Sequence, residues 1–454
     1  MDERELLSIY KRVYDYIDER NIYDVRGIAR AFGVSAPCEK RKHELIVQLI
    51  GIVAGITDPG PRTNKGARVK AGAASEEDLA QIRRLIEECR AEAPYSFPSA
   101  AEPVRIEFHD SEPSEREFGY ADVCSTGILE VMPQGHGFLR SLGCEAGEND
   151  PVLSEKTVRS YYLRSGDIVS GYLNGEDAKR EIVRVAAVNG KPPLFLERKK
   201  FDEPAPLFPE ERLNLGEEDA VLRAVDLLCP VGKGQRAAIY AESGTGKTEF
   251  IRRAARSVAK SGSANLIFVL LNQRPEEIAE TRSAFPNATV AAAPFDAPLF
   301  RGAQIASLAL ERAKRIAENG EDALLFLDSL TWLERSFAAG SAGSGAPVAA
   351  KKYFASARRL EGGGTLTIIA TVLVGQGGEE GSYGDAANAE MYFSRGLAMR
   401  GVIPAVDFSR SYTKRSDRLL NEEERSLAAD LRSAAAEGGT QAVLKAMGTA
   451  QPRR

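Results

Sequence analysis

The chain has 454 residues, more than one ordinary domain holds, so two or three units are expected. Hydrophobic residues make up 43% and charged residues 28%, the balance of soluble globular domains rather than of a disordered or membrane-embedded chain. The net charge is −5, so a nucleic-acid partner would need a local basic patch, because the body as a whole is mildly acidic.

The cysteines, Cys38, Cys89, Cys124, Cys144 and Cys229, are odd in number and scattered, with no C-x-x-C pair. They support neither a disulfide framework nor a zinc site and fit a reducing compartment. The start Met1-Asp2-Glu3-Arg4-Glu5 lacks the basic head and apolar run of a secretory signal. No stretch of about 18 apolar residues exists to span a bilayer. A cytoplasmic protein with no membrane partner is expected.

Residues 1–54 read as a small N-terminal helical module. Leu6, Leu7, Tyr10, Val13, Tyr14 and Ile17 recur at helical spacing, a second set runs from Val25 to Phe32, and Gly33 and Pro37 break the pattern. A third helix is expected from Lys40 to Val53. Its basic start, Lys40-Arg41-Lys42, reads as a solvated helix end, with phosphate contact as the lesser alternative. Residues 55–120 are punctuated by proline and glycine and read as a largely flexible linker, with one short helix near Glu76 to Glu92. No internal repeat is visible.

Between 121 and 190 the pattern turns to short β-type runs with glycine-rich turns. Gly127–Met132 leads through Pro133-Gln-Gly-His-Gly137 to Phe138-Leu-Arg140, and Leu163–Tyr172 and Glu181–Ala186 follow. About 70 residues of this kind suggest a small barrel such as an OB-fold. Residues 191–454 form the last unit, opened by the connector prolines Pro204, Pro206 and Pro209 and ending in a helical tail. Strands are expected at Ala237–Ala241, Leu266–Leu271, Thr289–Ala293, Ala323–Asp328 and Thr365–Thr371, with helices between them such as Gln304–Glu318. Such alternation predicts a mostly parallel sheet covered on both faces, an α/β core.

The strongest chemical signal is Ala241-Glu242-Ser243-Gly244-Thr245-Gly246-Lys247-Thr248, a P-loop with alanine in place of its first glycine. Gly244 and Gly246 let backbone amides turn inward around phosphate oxygens. Lys247 would reach the β- and γ-phosphates, and the Thr248 hydroxyl would ligate magnesium. The preceding strand Arg236–Tyr240 and the helix start that follows supply the context this motif requires. An acidic residue at the end of an apolar strand completes such a site, and Ala323-Leu-Leu-Phe-Leu-Asp328 provides it, giving Asp328 a magnesium-holding role. ATP with Mg2+ is the expected ligand.

Together these words resemble the transcription termination factor Rho family over roughly residues 120 to 425. Ala224–Arg236 is similar to the family's approach to its RecA-like ATPase core, and Gln273-Arg274-Pro-Glu-Glu-Ile278 stands where the family has E-R-P-E-E-V. Leu327–Thr331 looks like its Walker B strand. Gly362–Thr371 is similar to its G-G-S-L-T-I-I-A-T, and Ile403–Asp407 to its F-P-A-I-D. Gly127-Ile-Leu-Glu130 and Gly135-His-Gly-Phe-Leu-Arg-Ser141 resemble its RNA-binding OB-fold. The resemblance implies that His136 and Phe138 stack bases, Arg140 supplies a cation and Asp150 contacts a base edge. It also implies nucleotide binding by Glu242 to Thr248 and Arg274, single-stranded RNA and the RNA polymerase elongation complex as partners, and a homo-hexameric ring with RNA-dependent ATPase and helicase activity.

Against that pattern four departures stand out. Gln273 replaces the family's catalytic glutamate. The arginine given in trans falls on Lys414, with Arg415 beside it, while Arg410 is kept. The first pore loop, Phe337–Ala349, has lost its lysine, and the second, Gly375–Gly384, is short and carries Glu379 and Glu380. Trp332 replaces an arginine. Two functions are therefore expected: an active terminator, or alternatively a hydrolysis-impaired paralogue that binds ATP and RNA as a non-motor regulator or within an active ring.

Overall fold

The computed structural model describes residues 10–32, 34, 41–53, 78–85, 124–173, 180–191, 193, 200–216, 219–340 and 343–448. The chain divides into two compact units, Met1–Glu117 and Phe118–Arg454.

In the first unit, helices run over Lys11–Asp18, Ile22–Ala31, Lys42–Val53 and residues 78–85. Their apolar stripes are buried: Val13, Tyr14 and Ile17, then Val25 and Ile28, then Leu45, Ile46, Leu49 and Ile50. Lys42 pairs with Asp18 at 2.9 Å, so part of the basic helix start binds within the fold. Leu6, Leu7, Gly33, Pro37 and Lys40 lie outside the described residues, as do Cys38 and Cys89 and all of 55–120 apart from 78–85.

The second unit opens with a five-stranded sheet. Its strands are β1 (Cys124–Val131), β2 (Gly137–Arg140), β3 (Val152–Leu153), β4 (Ile168–Leu173) and β5 (Ile182–Val188), in the order β3-β2-β1-β4-β5. Every neighbouring pair is antiparallel, and a bridge between Val152 and Glu181 brings the two outer strands together, curling the sheet toward a barrel. Leu129, Leu139, Leu153, Val169, Ile182 and Val185 fill its interior. The helix Glu155–Ser160, capped by Ser154, was not foreseen. The run expected from Leu163 becomes a strand only at Ile168. Before it, Gly166 takes φ +88° and the Asp167 carboxylate accepts from the Arg164 amide at 2.7 Å, which makes a turn.

A nine-stranded sheet follows. It comprises β6 (Pro206–Leu207), β7 (Arg236–Ala241), β8 (Asn265–Gln273), β9 (Thr289–Pro294), β10 (Asp322–Asp328), β11 (Arg358–Leu360), β12 (Thr365–Leu373), β13 (Ala389–Tyr392) and β14 (Tyr412–Thr413). The main path is β14-β13-β7-β12-β10-β8-β9, parallel from β13 to β9, with β14, β11 and β6 antiparallel at the margins. Side chains alternate between two apolar layers. Leu325, Leu327 and Ile368 pack with Ala309, Ile316 and Leu333 on one face, and Leu324, Phe326 and Ile369 pack with Phe250 and Ala254 on the other. Burial on both faces explains why these strands read as unbroken apolar runs. All five expected strands are present, each extended by one to three residues, and the helix expected from Gln304 begins at Leu299.

The helix Glu422–Ala446 closes the chain's described part with a capping box between Asn421 and Glu424, and it bends at Gly439. The barrel is fastened to the sheet domain by Arg282–Glu145 at 2.6 Å, Arg164–Glu318 at 3.3 Å and a 2.8 Å hydrogen bond from Arg312 to Asn189. Cys144 and Cys229 are free and buried, and burial pushes both thiols up to about 12. Among the described residues no helix is long and apolar enough to cross a membrane.

Candidate nucleotide site and nucleic-acid face

The segment from β7 to the helix Lys247–Ser261 holds a tight turn. Gly244 and Gly246 take φ of +78° and +83°, backbone that a side chain rarely adopts. A Cβ on Gly246 would also stand 2.9 Å from Ile403 Cγ2. The buried Thr245 hydroxyl donates to the Glu242 carbonyl at 2.9 Å, and the Thr245 carbonyl accepts from the Ala405 amide at 3.1 Å. Lys247 and Thr248 are the first two residues of the helix, whose Phe250, Ala254 and Val258 anchor it in the core. Amides at this N-terminus therefore face an incoming anion together with the helix dipole.

Asp328 ends β10, two strands from β7, so the strand spacing separates the two axes by about 10 Å. It is 2% exposed, and Thr371 on the intervening β12 donates to its carboxylate at 2.8 Å. Gln273 ends β8, the next strand beyond. There Asn272 takes φ +56° and the β8–β9 register slips, so the chain turns away and leaves Gln273 half-buried at the carboxyl edge. Arg274 is exposed at the N-cap of the helix Pro275–Ala284. Lys247, Thr248, Asp328, Gln273 and Arg274 thus share the carboxyl end of one parallel sheet, where open α/β folds bind ligands. Trp332, on the helix Leu330–Ala339, lies under the Arg335 guanidinium at 4.4 Å.

Arg410, Lys414 and Arg415 are not brought to this chain's own phosphate loop. They flank β14, which β13 separates from β7. Lys414 donates to the carbonyls of Gly384 and Ala387 at 2.8 and 2.9 Å, and Arg415 takes φ +57° and binds Asp417 at 3.1 and 3.2 Å. Arg410 donates to Glu380 at 2.6 Å while lying 4.3 Å above the Tyr392 ring, and its hydrogen bond to the Glu380 carboxylate holds its pKa above the ordinary value.

On the barrel, β2 presents Phe138 and Arg140 on one face. The His136 ring meets Phe138 edge-on at 5.4 Å, and the Arg140 guanidinium stands 4.6 Å above Phe138. Arg140 donates to Glu130 at 2.6 Å and to Asp150 at 2.8 Å. Burial works against its charge, but these two carboxylates outweigh burial and hold its pKa above the ordinary value. Asp150 also accepts from the Gly147 amide at 2.8 Å. All four expected residues, His136, Phe138, Arg140 and Asp150, therefore meet in one place.

Residues 221–413 match the ATP synthase alpha/beta family nucleotide-binding domain, and residues 125–194 match the Rho termination factor RNA-binding domain. The transcription termination factor Rho of Streptomyces coelicolor is 39% identical over 336 residues, covering 69% of this chain and 79% of that protein. The chain belongs to the Rho family. Rho of Borreliella burgdorferi is 35% identical over 67% of this chain, and Rho of Micrococcus luteus 34% over 66%. This chain spans 64% of the first and 48% of the second, less than two thirds of either relative. The Rho RNA-binding match covers the five-stranded barrel, and the nucleotide-binding match covers the sheet from the helix before β7 to β14.

Two residues of this Rho-family site, and the partner of a third, escaped the sequence reading. Glu130 grips Arg140, although it sits inside the quoted Gly127–Glu130 words; its register opposite Phe138 appears only once β1 and β2 pair. Thr371, the last residue of the Gly362–Thr371 run, fixes Asp328. Glu380 was noticed as an acid, but its partner Arg410 lies 30 residues away and carried no local signal.

Proposed function

We propose that this Rho-family chain is an RNA-dependent ATPase that works as a homo-hexameric ring in the cytoplasm. It would take single-stranded RNA on its barrel and release nascent transcript from the RNA polymerase elongation complex. One observation carries this reading: Lys247, Asp328 and Gln273 share a sheet edge in a chain that also presents His136, Phe138 and Arg140 in mutual contact on one face.

Backbone amides from Glu242 through Gly246 cradle the phosphates of ATP, with Ser243 and Thr245 within the same turn, and Lys247 reaches the β- and γ-phosphates. Thr248 and Asp328 suit magnesium, since a hydroxyl and an anchored carboxylate are the oxygen donors that a hard cation takes. When bound, that ion neutralises charge on the β- and γ-phosphates. Gln273 orients the attacking water by hydrogen bonding but takes no proton, and loss of a general base costs on the order of 10²–10⁴-fold in rate. Arg274, exposed next to it, contacts the nucleotide. Lys414 of a neighbouring subunit, with Arg415 next to it and Arg410 in the same segment, meets the γ-phosphate from across the seam.

On the barrel, His136 and Phe138 give bases flat surfaces to stack on, each worth about 1–3 kcal/mol. Arg140, paired with Glu130 and Asp150, supplies a cation for the RNA backbone, and Asp150 contacts a base edge. Gln273, Glu379 and Glu380 favour a second reading, a hydrolysis-impaired member that binds ATP and RNA and regulates or joins an active ring. An acidic pore loop repels an RNA backbone. The two separate in a transcription assay with purified polymerase. ATP-dependent release of shortened RNA supports the motor, and release absent in the presence of bound ATP and RNA supports the regulator.

A further inference from the structure

The segment between β12 and β13 is fastened by cations from four places in the fold. Arg335 donates to the Gln376 carbonyl at 2.5 Å, Lys351 pairs with Asp385, and Lys414 donates to Gly384 and Ala387. The fourth contact differs from these. Arg410 points both terminal nitrogens at the Glu380 carboxylate, at 2.6 and 3.4 Å, while its plane rests on the Tyr392 ring at 4.3 Å. Tyr392 is itself held, donating to the Glu390 carboxylate at 2.8 Å and stacking on Tyr240 at 5.1 Å.

A guanidinium fork filled by a carboxylate has the geometry that clasps a phosphate. Here the Tyr392 ring beneath Arg410 gives the fork a second support that does not depend on Glu380. Glu380 can leave cheaply: its side chain is 43% exposed, and Gly377 and Gly381 on either side take φ of +95° and +75°. A Cβ on Gly381 would meet nothing within 4 Å, so the backbone there has room to swing.

We propose that Glu380 is an internal stand-in for phosphate. It occupies Arg410 within its own subunit, and the nucleotide phosphate of the neighbouring subunit takes Arg410 by displacing it. Glu380 is thus a positioning residue that sets nucleotide affinity, and arrival of nucleotide releases one of the ties on the 375–387 loop. The inference rests on the proposed role of Arg410 across the seam. It assigns the acidic loop a partner other than RNA.

The test is a double-mutant cycle on the full chain, reading equilibrium binding of a non-hydrolysable fluorescent ATP analogue with magnesium, so that turnover is not needed. Glu380→Gln is expected to tighten binding about 2- to 5-fold, the size of an exposed ion pair, and Glu380→Lys by more. Arg410→Ala weakens binding, and in that background Glu380→Gln has no effect. Equal or weaker affinity in Glu380→Gln, or the same gain without Arg410, overturns the exchange. A gain for cytidine-rich RNA alone, with none for the analogue, also overturns it and gives Arg410 to the RNA backbone. If the wild type binds no analogue at all, the nucleotide reading itself fails, which is distinct from binding that is indifferent to residue 380.

Discussion

The Thr371 hydroxyl donates to the Asp328 carboxylate at 2.8 Å, joining β12 to the acid that ends β10. Both residues are buried, so one oxygen of Asp328 is committed to the fold. Thr371→Val keeps the shape and removes the donor. An unsatisfied buried acceptor costs about 1–3 kcal/mol. Thermal unfolding should show that loss, with weaker magnesium-dependent nucleotide binding, and Thr371→Ser should restore both. Unchanged binding in the valine variant would separate Thr371 from the site.

Phe138 carries the Arg140 guanidinium on its face and the His136 ring at its edge. Phe138→Ala should lower affinity for single-stranded RNA by about 1–3 kcal/mol, the worth of one stacked base. Nucleotide binding should not change, because Phe138 belongs to the barrel and not to the sheet edge. Fluorescence anisotropy with a short RNA reads the first quantity, and titration with an ATP analogue reads the second.

Asp226 is buried, and its carboxylate accepts from the amides of Leu215 and Gly216 at 3.1–3.2 Å. Burial outweighs these bonds and pushes its carboxyl up from 3.8 to about 7. A carboxyl raised in the fold contributes stability that is present in full below about 3.8 and is lost as pH rises through about 7. Unfolding temperature should therefore fall between pH 5 and pH 8, and Asp226→Asn should flatten that slope. An equal slope in the asparagine form would assign the titration to another group.

How much of this was readable in the sequence depended on the range of each signal. The phosphate loop was legible because its glycines, Lys247 and Thr248 are contiguous and follow a buried strand. Asp328 was legible because an acid ending Ala323–Leu327 has few other uses. The marginal strands β13 and β14 were not, since four and two residues give too short a run for periodicity to register. The clasp on Arg140 needed the β1–β2 register, and the hold on Arg410 needed residues 380, 392 and 410 to meet in space. Lys414 shows the limit most clearly. Its motif position speaks of a neighbouring subunit, while its ammonium also bonds two carbonyls of its own chain.

The most direct measurement is ATP turnover with and without a cytidine-rich RNA, for the wild type and for Gln273→Glu. If the sheet-edge site and the barrel face serve one motor, RNA speeds hydrolysis in the wild type. The glutamate variant, regaining a general base, then runs faster by on the order of 10²-fold or more. Turnover that appears only in the glutamate variant would contradict the motor and leave a nucleotide- and RNA-binding regulator.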